Sequence, residues 1–180
     1  MGDVVARATQ PALAAIKLAW WRERLEELGQ GLVPAEPRLQ AVFSQLVPRG
    51  ISGADVAELE QAWAQILRSD DPNIFARGVA SRGPILFALA ASVLDVSKAD
   101  LIDDASNSFV AADLARRGIT DLPPLQIGRS KSRAPKRARA LTALGALARR
   151  DMRSGGPPFE REGTPARAWA VFRHWLTGRY

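Results

Sequence analysis

Apolar positions fall at helical spacing along most of this chain. From Pro11 to Leu28 the residues Leu18, Trp21, Leu25 and Leu28 recur every three or four positions, which sets them on one face of an α-helix. Trp20 points about 100° away from Trp21 and is expected to widen the buried stripe. Gly29 and Gly31 end this helix. A shorter helix is predicted from Pro37 to Leu46, with proline at its first position, before a turn at Pro48 to Gly50. Ser52 caps a third helix, Asp55 favours its dipole, and Val56, Leu59, Trp63, Ile66 and Leu67 form its buried stripe. Asp70-Asp71-Pro72 starts a short fourth helix. A fifth, from Pro84 to Leu94, is nearly all apolar, and its alanines favour a central helix over a buried strand.

A sixth helix is predicted from Lys98 to Arg117, ended by Gly118 ahead of Pro123-Pro124. Residues 128–136 form a basic loop. A seventh helix carries Leu141, Leu144, Leu147 and Ala148. Ser154 to Pro158 breaks the chain, and 154–163 is a linker. Thr164-Pro165 opens the last helix, expected to bury Trp169, Phe172 and Leu176 and to end at Gly178. No strand and no internal repeat is expected. The predicted class is therefore all-α, a helical bundle forming a single domain over residues 1–180.

Composition narrows the chemistry. With no cysteine, disulfides, thiolate metal sites and cysteine nucleophiles are excluded, and a single histidine, His174, excludes a multi-histidine metal site. Charges interrupt every long apolar stretch, so no membrane span is expected, and no secretory signal is expected either. Ala6 breaks the myristoylation motif that Met1-Gly2 begins. A cytoplasmic location is expected, with a peripheral place at the inner membrane face as its variant. Charge is uneven: residues 1–128 hold 12 Lys/Arg against 16 Asp/Glu, whereas residues 129–180 hold 13 against 3. That asymmetry points to an anionic partner for the C-terminal part, or to a solvated basic face.

The string Leu18-Ala19-Trp20-Trp21-Arg22-Glu23-Arg24-Leu25-Glu26-Glu27-Leu28, followed by Glu36-Pro37 and an apolar helix, resembles the squalene/phytoene synthase family. Those all-α enzymes join prenyl diphosphates head to head. The resemblance implies an isoprenoid (prenyl) synthase fold lacking its first helices. Phe75 to Leu94, with Gly83, looks like the family's central helices, and Ala168 to Gly178 looks like the tail of short bacterial members. Such chemistry needs Mg²⁺ held by paired carboxylates. The family's first aspartate-rich motif precedes the Trp-Trp-Arg helix, but here only Asp3 is acidic before Trp20. The second motif is matched by Val110 to Arg117, where Asp113 stands at the usual Asn and Arg117 at the expected metal-binding Asp. No family residue is carried over as catalytic. The pattern also opens part-way through the family's order, so an in-frame upstream extension encoding a further helix or two is expected. Without those helices the Trp-Trp-Arg and fifth helices would leave apolar faces open, with Trp20 or Trp21 at the seam and self-association or marginal stability as the result.

Other candidates are local. Asp100, Asp103, Asp104 and Asn107 lie at i, i+3, i+4 and i+7 and, with Asp113, are the candidate metal ligands; an acidic helix start favouring the dipole explains the same pattern. Arg129, Lys131, Arg133, Lys136 and Arg137, continued by Arg139, are the candidate anion site for a diphosphate or an anionic lipid. They lack interleaved aromatics, so specific nucleic-acid binding is not expected. His174 reads as a cap or part-buried residue, and Arg22 and Arg24 as partners of Glu26 and Glu27. Three functions follow. The first is a degenerate squalene/phytoene synthase-like pseudoenzyme acting as a binding or assembly factor, as in a mitochondrial complex I assembly factor of the same resemblance, with a protein partner and no cofactor. The second is a Mg²⁺-dependent prenyltransferase. The third is a membrane-surface adaptor working through the basic C-terminal part.

Overall fold

The computed structural model describes residues 1–67, 70–96, 100–119, 133–155 and 157–179, and every regular element among them is helical. The all-α class expected from periodicity and caps is therefore the observed one. The chain divides into two compact units, Met1–Ile85 and Leu86–Tyr180.

The first unit holds α1 (Gly2–Ala6), α2 (Pro11–Glu27), α3 (Pro37–Ala41), α4 (Gly53–Leu67) and the start of α5 (Pro72–Val93). Leu25 and Leu28 from the end of α2 meet Leu39 of α3 and Ala57 of α4, with Met1, Trp21, Val42 and Val56 packed around them. The expected stripe is therefore real at Leu18, Leu25 and Leu28. Trp20 does not widen it: that ring is 41% exposed and meets Trp21 edge-on at 5.2 Å. The side of α2 facing α4 takes the leucines, so Trp20 shares the outer side with exposed Leu13 and Ile16. The start of α4 is a reciprocal cap, in which the Ser52 N–H donates to Asp55 Oδ2 at 2.7 Å and the Asp55 N–H donates to Ser52 Oγ at 3.1 Å. Arg22–Glu26 and Arg24–Glu27 pair at 2.8 and 2.7 Å, as the spacing predicts.

The fourth and fifth helices expected from the sequence are one helix, α5, capped by Asp71 accepting from the Asn73 N–H at 2.8 Å. Pro84 lies inside it rather than at a start. A proline there removes one backbone bond and crowds the preceding turn. Packing holds the helix on both sides of the proline: Val79 and Gly83 are buried in the first unit, and Phe87 and Ala91 in the second. By length and composition this helix is apolar enough to cross a membrane, despite Arg77 and Arg82. Protein groups occupy its inner face: Arg82 stacks on the Trp63 ring at 4.2 Å and Phe87 meets Phe109 at 5.7 Å.

The second unit holds the rest of α5, then α6 (Asp100–Arg116), α7 (Arg139–Arg153) and α8 (Pro165–Thr177). Phe87, Ala91, Ala105 and Leu141 form its core. Close approach of α6 and α7 depends on Gly145: a Cβ there would sit 2.6 Å from the Cα and Cβ of Ala105. The buried face of α7 is Leu141, Thr142, Gly145, Ala148, Arg149 and Asp151, whereas Leu144 is 42% exposed. Gly145 makes the contact with α6, and Arg149 and Asp151 have partners inside.

Candidate functional site

The last helix is built with its polarity reversed. Its buried residues are Arg167 and His174, seven apart and hence on one face. Trp169, Phe172, Trp175 and Leu176, on the arc away from them, are 63%, 44%, 61% and 53% exposed. This corrects the expectation that Trp169, Phe172 and Leu176 are core. The cause lies on α7, which offers α8 polar partners. Arg167 Nη1 donates to Asp151 Oδ1 at 2.5 Å. Thr142 Oγ1 lies 2.9 Å from His174 Nε2. His174 Nδ1 is 2.9 Å from the Arg179 carbonyl, which only accepts, so this nitrogen carries a proton. Thr164 caps the helix, its hydroxyl accepting from the Arg167 N–H at 3.4 Å.

The C-terminal end of α8 is tied to the basic segment before α7. Gly178 adopts a left-handed conformation at φ +68°, and its carbonyl accepts from the Ala134 N–H at 2.8 Å. Arg139 Nη1 donates to the carbonyls of Trp175 at 2.7 Å and Leu176 at 3.2 Å, while its Nε donates to the Ala134 carbonyl. Arg139 is thus a cap for α8 rather than an open anion ligand. Arg133, Lys136 and Arg137 are exposed beside that end, and Arg137 is 3.4 Å from the exposed Asp95. Lys136, Arg137 and Asp95 line an open cavity of about 570 Å³ with Ala91, Ser92, Val96 and Pro135. Arg129 and Lys131 lie outside the described residues.

Behind the aromatic face is a buried ionic seam. Asp151, with a side chain 1% exposed, is held by Arg167 and Arg116. Arg149, 4% exposed, lies 3.4 Å from Asp104 and donates through Nε to Ser108 Oγ at 3.1 Å. Arg150 pairs with Glu160, whose carboxyl is held below its ordinary value by the Thr164 hydroxyl and then by Arg150. Sequence periodicity gave no sign of Asp151 or Arg149. The signal it did contain was the Arg167/His174 spacing away from the aromatics.

The candidate metal ligands do not converge. Asp104 faces Arg149, Asp103 is exposed, and the Asp100 side chain lies outside the described residues. Asp113 accepts from Arg117 Nε at 3.1 Å. Nine residues separate Asp104 from Asp113, about 13 Å along the axis and on opposite faces of α6. Among the described residues no group of three or more acids or histidines is placed to hold a metal ion. The Trp-Trp-Arg helix lines a separate open cleft of about 640 Å³ against α4, where Glu60 is 4.0 Å from Arg22 and Glu23 and Glu26 form the rim. The hydrogen bond from Arg22 to Glu26 holds the guanidinium pKa above its ordinary value. The chain matches no protein-family model, no curated protein and no solved structure.

Proposed function

We propose that the protein is a binding or assembly factor on a degenerate squalene/phytoene synthase-like helical scaffold. The observation that carries this reading is the Asp113–Arg117 pair. By the resemblance, Arg117 stands where a metal-binding aspartate belongs, and its guanidinium neutralises the neighbouring acid. A carboxylate so engaged must abandon its partner to bind Mg²⁺, and the guanidinium left behind repels the ion. The Asp104–Arg149 pair acts in the same sense, with Arg149 buried. The large exposed rings of α8 suit a partner-binding role.

The rival is a prenyltransferase condensing two prenyl diphosphates with Mg²⁺. Purified protein incubated with farnesyl or geranylgeranyl diphosphate and Mg²⁺ separates the two. The expected result is no diphosphate release above the protein-free rate and no C30 or C40 hydrocarbon. Turnover that disappears when Asp104→Asn and Asp113→Asn are combined overturns the proposal.

A further inference from the structure

The outward face of α8 is unusual in three linked ways. Its large apolar residues form one continuous arc while the buried side is polar. The rings neighbour one another, Trp169 tilted by 36° to Phe172 at 5.6 Å and Phe172 nearly parallel to Trp175 at 6.4 Å. Exposed cations lie on α8 and just after it, Arg173 and Arg179, and the segment bonded to Gly178 through Ala134 carries three more, Arg133, Lys136 and Arg137, the last paired with Asp95. The exposed apolar area of the four residues is on the order of 500 Å², at the upper end for a patch left open on a monomer.

We infer that this face docks on an anionic lipid surface, with the tryptophans at headgroup level and the cations against lipid phosphates. Charge complementarity selects that occupant. A tryptophan- and leucine-bearing helix face edged by arginines is the composition that partitions into the membrane interface, and each nearby cation adds attraction to anionic headgroups. Single-stranded nucleic acid fits less well, because ring centroids 5.6 and 6.4 Å apart leave no room for a base between neighbouring rings. A docked helix needs no refolding, because Asp151 and Thr142 already hold its inner side. This inference stands whether or not the chain turns over a prenyl diphosphate.

The test is co-sedimentation of the full chain with phosphatidylcholine vesicles, with and without phosphatidylglycerol. Trp169→Ser with Trp175→Ser forms one variant and Lys136→Glu with Arg137→Glu the other. All four side chains point to solvent, so circular dichroism is expected to be unchanged. The expected result is binding to the anionic vesicles, weakened on the order of tenfold or more by the tryptophan pair and reduced by the charge pair or by high salt. Brominated lipid should quench wild-type fluorescence and lose most of that effect in the tryptophan variant. No binding to anionic vesicles overturns the inference. So does binding that survives the tryptophan changes and depends on charge alone. Self-association without vesicle binding, removed by the same tryptophan changes, assigns the face to a second copy. Preference for a single-stranded oligonucleotide over vesicles overturns it as well.

Discussion

Asp151→Asn should destabilise the protein far more than an ordinary surface change. The carboxylate is 1% exposed and its partner Arg167 is 8% exposed. Asparagine keeps the volume but presents no charge, so Arg167 stays buried without its counter-ion. Breaking a buried pair from one side costs about 3–5 kcal/mol, because the remaining ion has lost both water and partner. Arg116 adds less, since its side chain is 30% exposed and can turn to solvent. For a chain of this length the loss corresponds to a fall in Tm of roughly 10 °C. Urea unfolding followed by circular dichroism measures it, and the double variant Asp151→Leu with Arg167→Met supplies the control. Replacing the whole pair by apolar groups of similar size is often near neutral, so the double should recover most of the stability lost in the single. A loss below about 1 kcal/mol for Asp151→Asn, or a double as unstable as the single, refutes the claim that this pair holds α8 to α7.

Two further outcomes follow from particular contacts. Gly145→Ala places a Cβ 2.6 Å from Ala105, so α6 and α7 must separate; a loss of about 2 kcal/mol is expected in urea unfolding, whereas Gly118→Ala, where nothing lies within 4 Å, should act through its positive φ alone. The Asp55 carboxyl is held below its ordinary value by the Ser52 hydroxyl and then by the Ser52 N–H. Folding therefore favours the charged form, which stabilises above the unfolded pKa and ceases to as pH falls through the folded one. The stability difference between wild type and Asp55→Asn should shrink as pH falls from about 5 to about 2, read by urea midpoints at each pH.

Helix positions were legible because caps and breakers act locally. Ser52, Asp71, Thr164 and Gly178 each terminate or start a helix where the sequence places them. Pro84 misled for the opposite reason: the local rule marks a boundary, but buried residues four apart on both sides carry the helix through. Faces were legible on α2 and α4, where the apolar side is the inner one. On α8 the large apolar residues are not the buried ones, since partner side chains on the neighbouring helix decide the roll. Which acids face arginines across helices, as Asp104 does Arg149, depends on packing between segments distant in the chain and leaves no trace in spacing.

The reversed polarity of α8 ties stability to surface chemistry. A helix with two tryptophans, a phenylalanine and a leucine on one side would ordinarily turn that side inward. Here the receiving side of α7 carries Thr142 and Asp151, and aromatic rings placed there would take Arg167 away from a buried carboxylate and His174 away from the Thr142 hydroxyl. Arg167 and His174 satisfy both, and Arg139 and Ala134 fasten the far end through backbone groups. The inward polar contacts are thus what keep the aromatic face outward. Loosening Asp151–Arg167 should lower stability and, in those molecules that relieve the unpaired guanidinium by rolling α8, withdraw Trp169 and Trp175 from solvent. In Asp151→Asn, acrylamide quenching of tryptophan fluorescence under native conditions should therefore fall relative to wild type. An unchanged or increased quenching constant, with the stability loss present, means that the roll of α8 is set elsewhere.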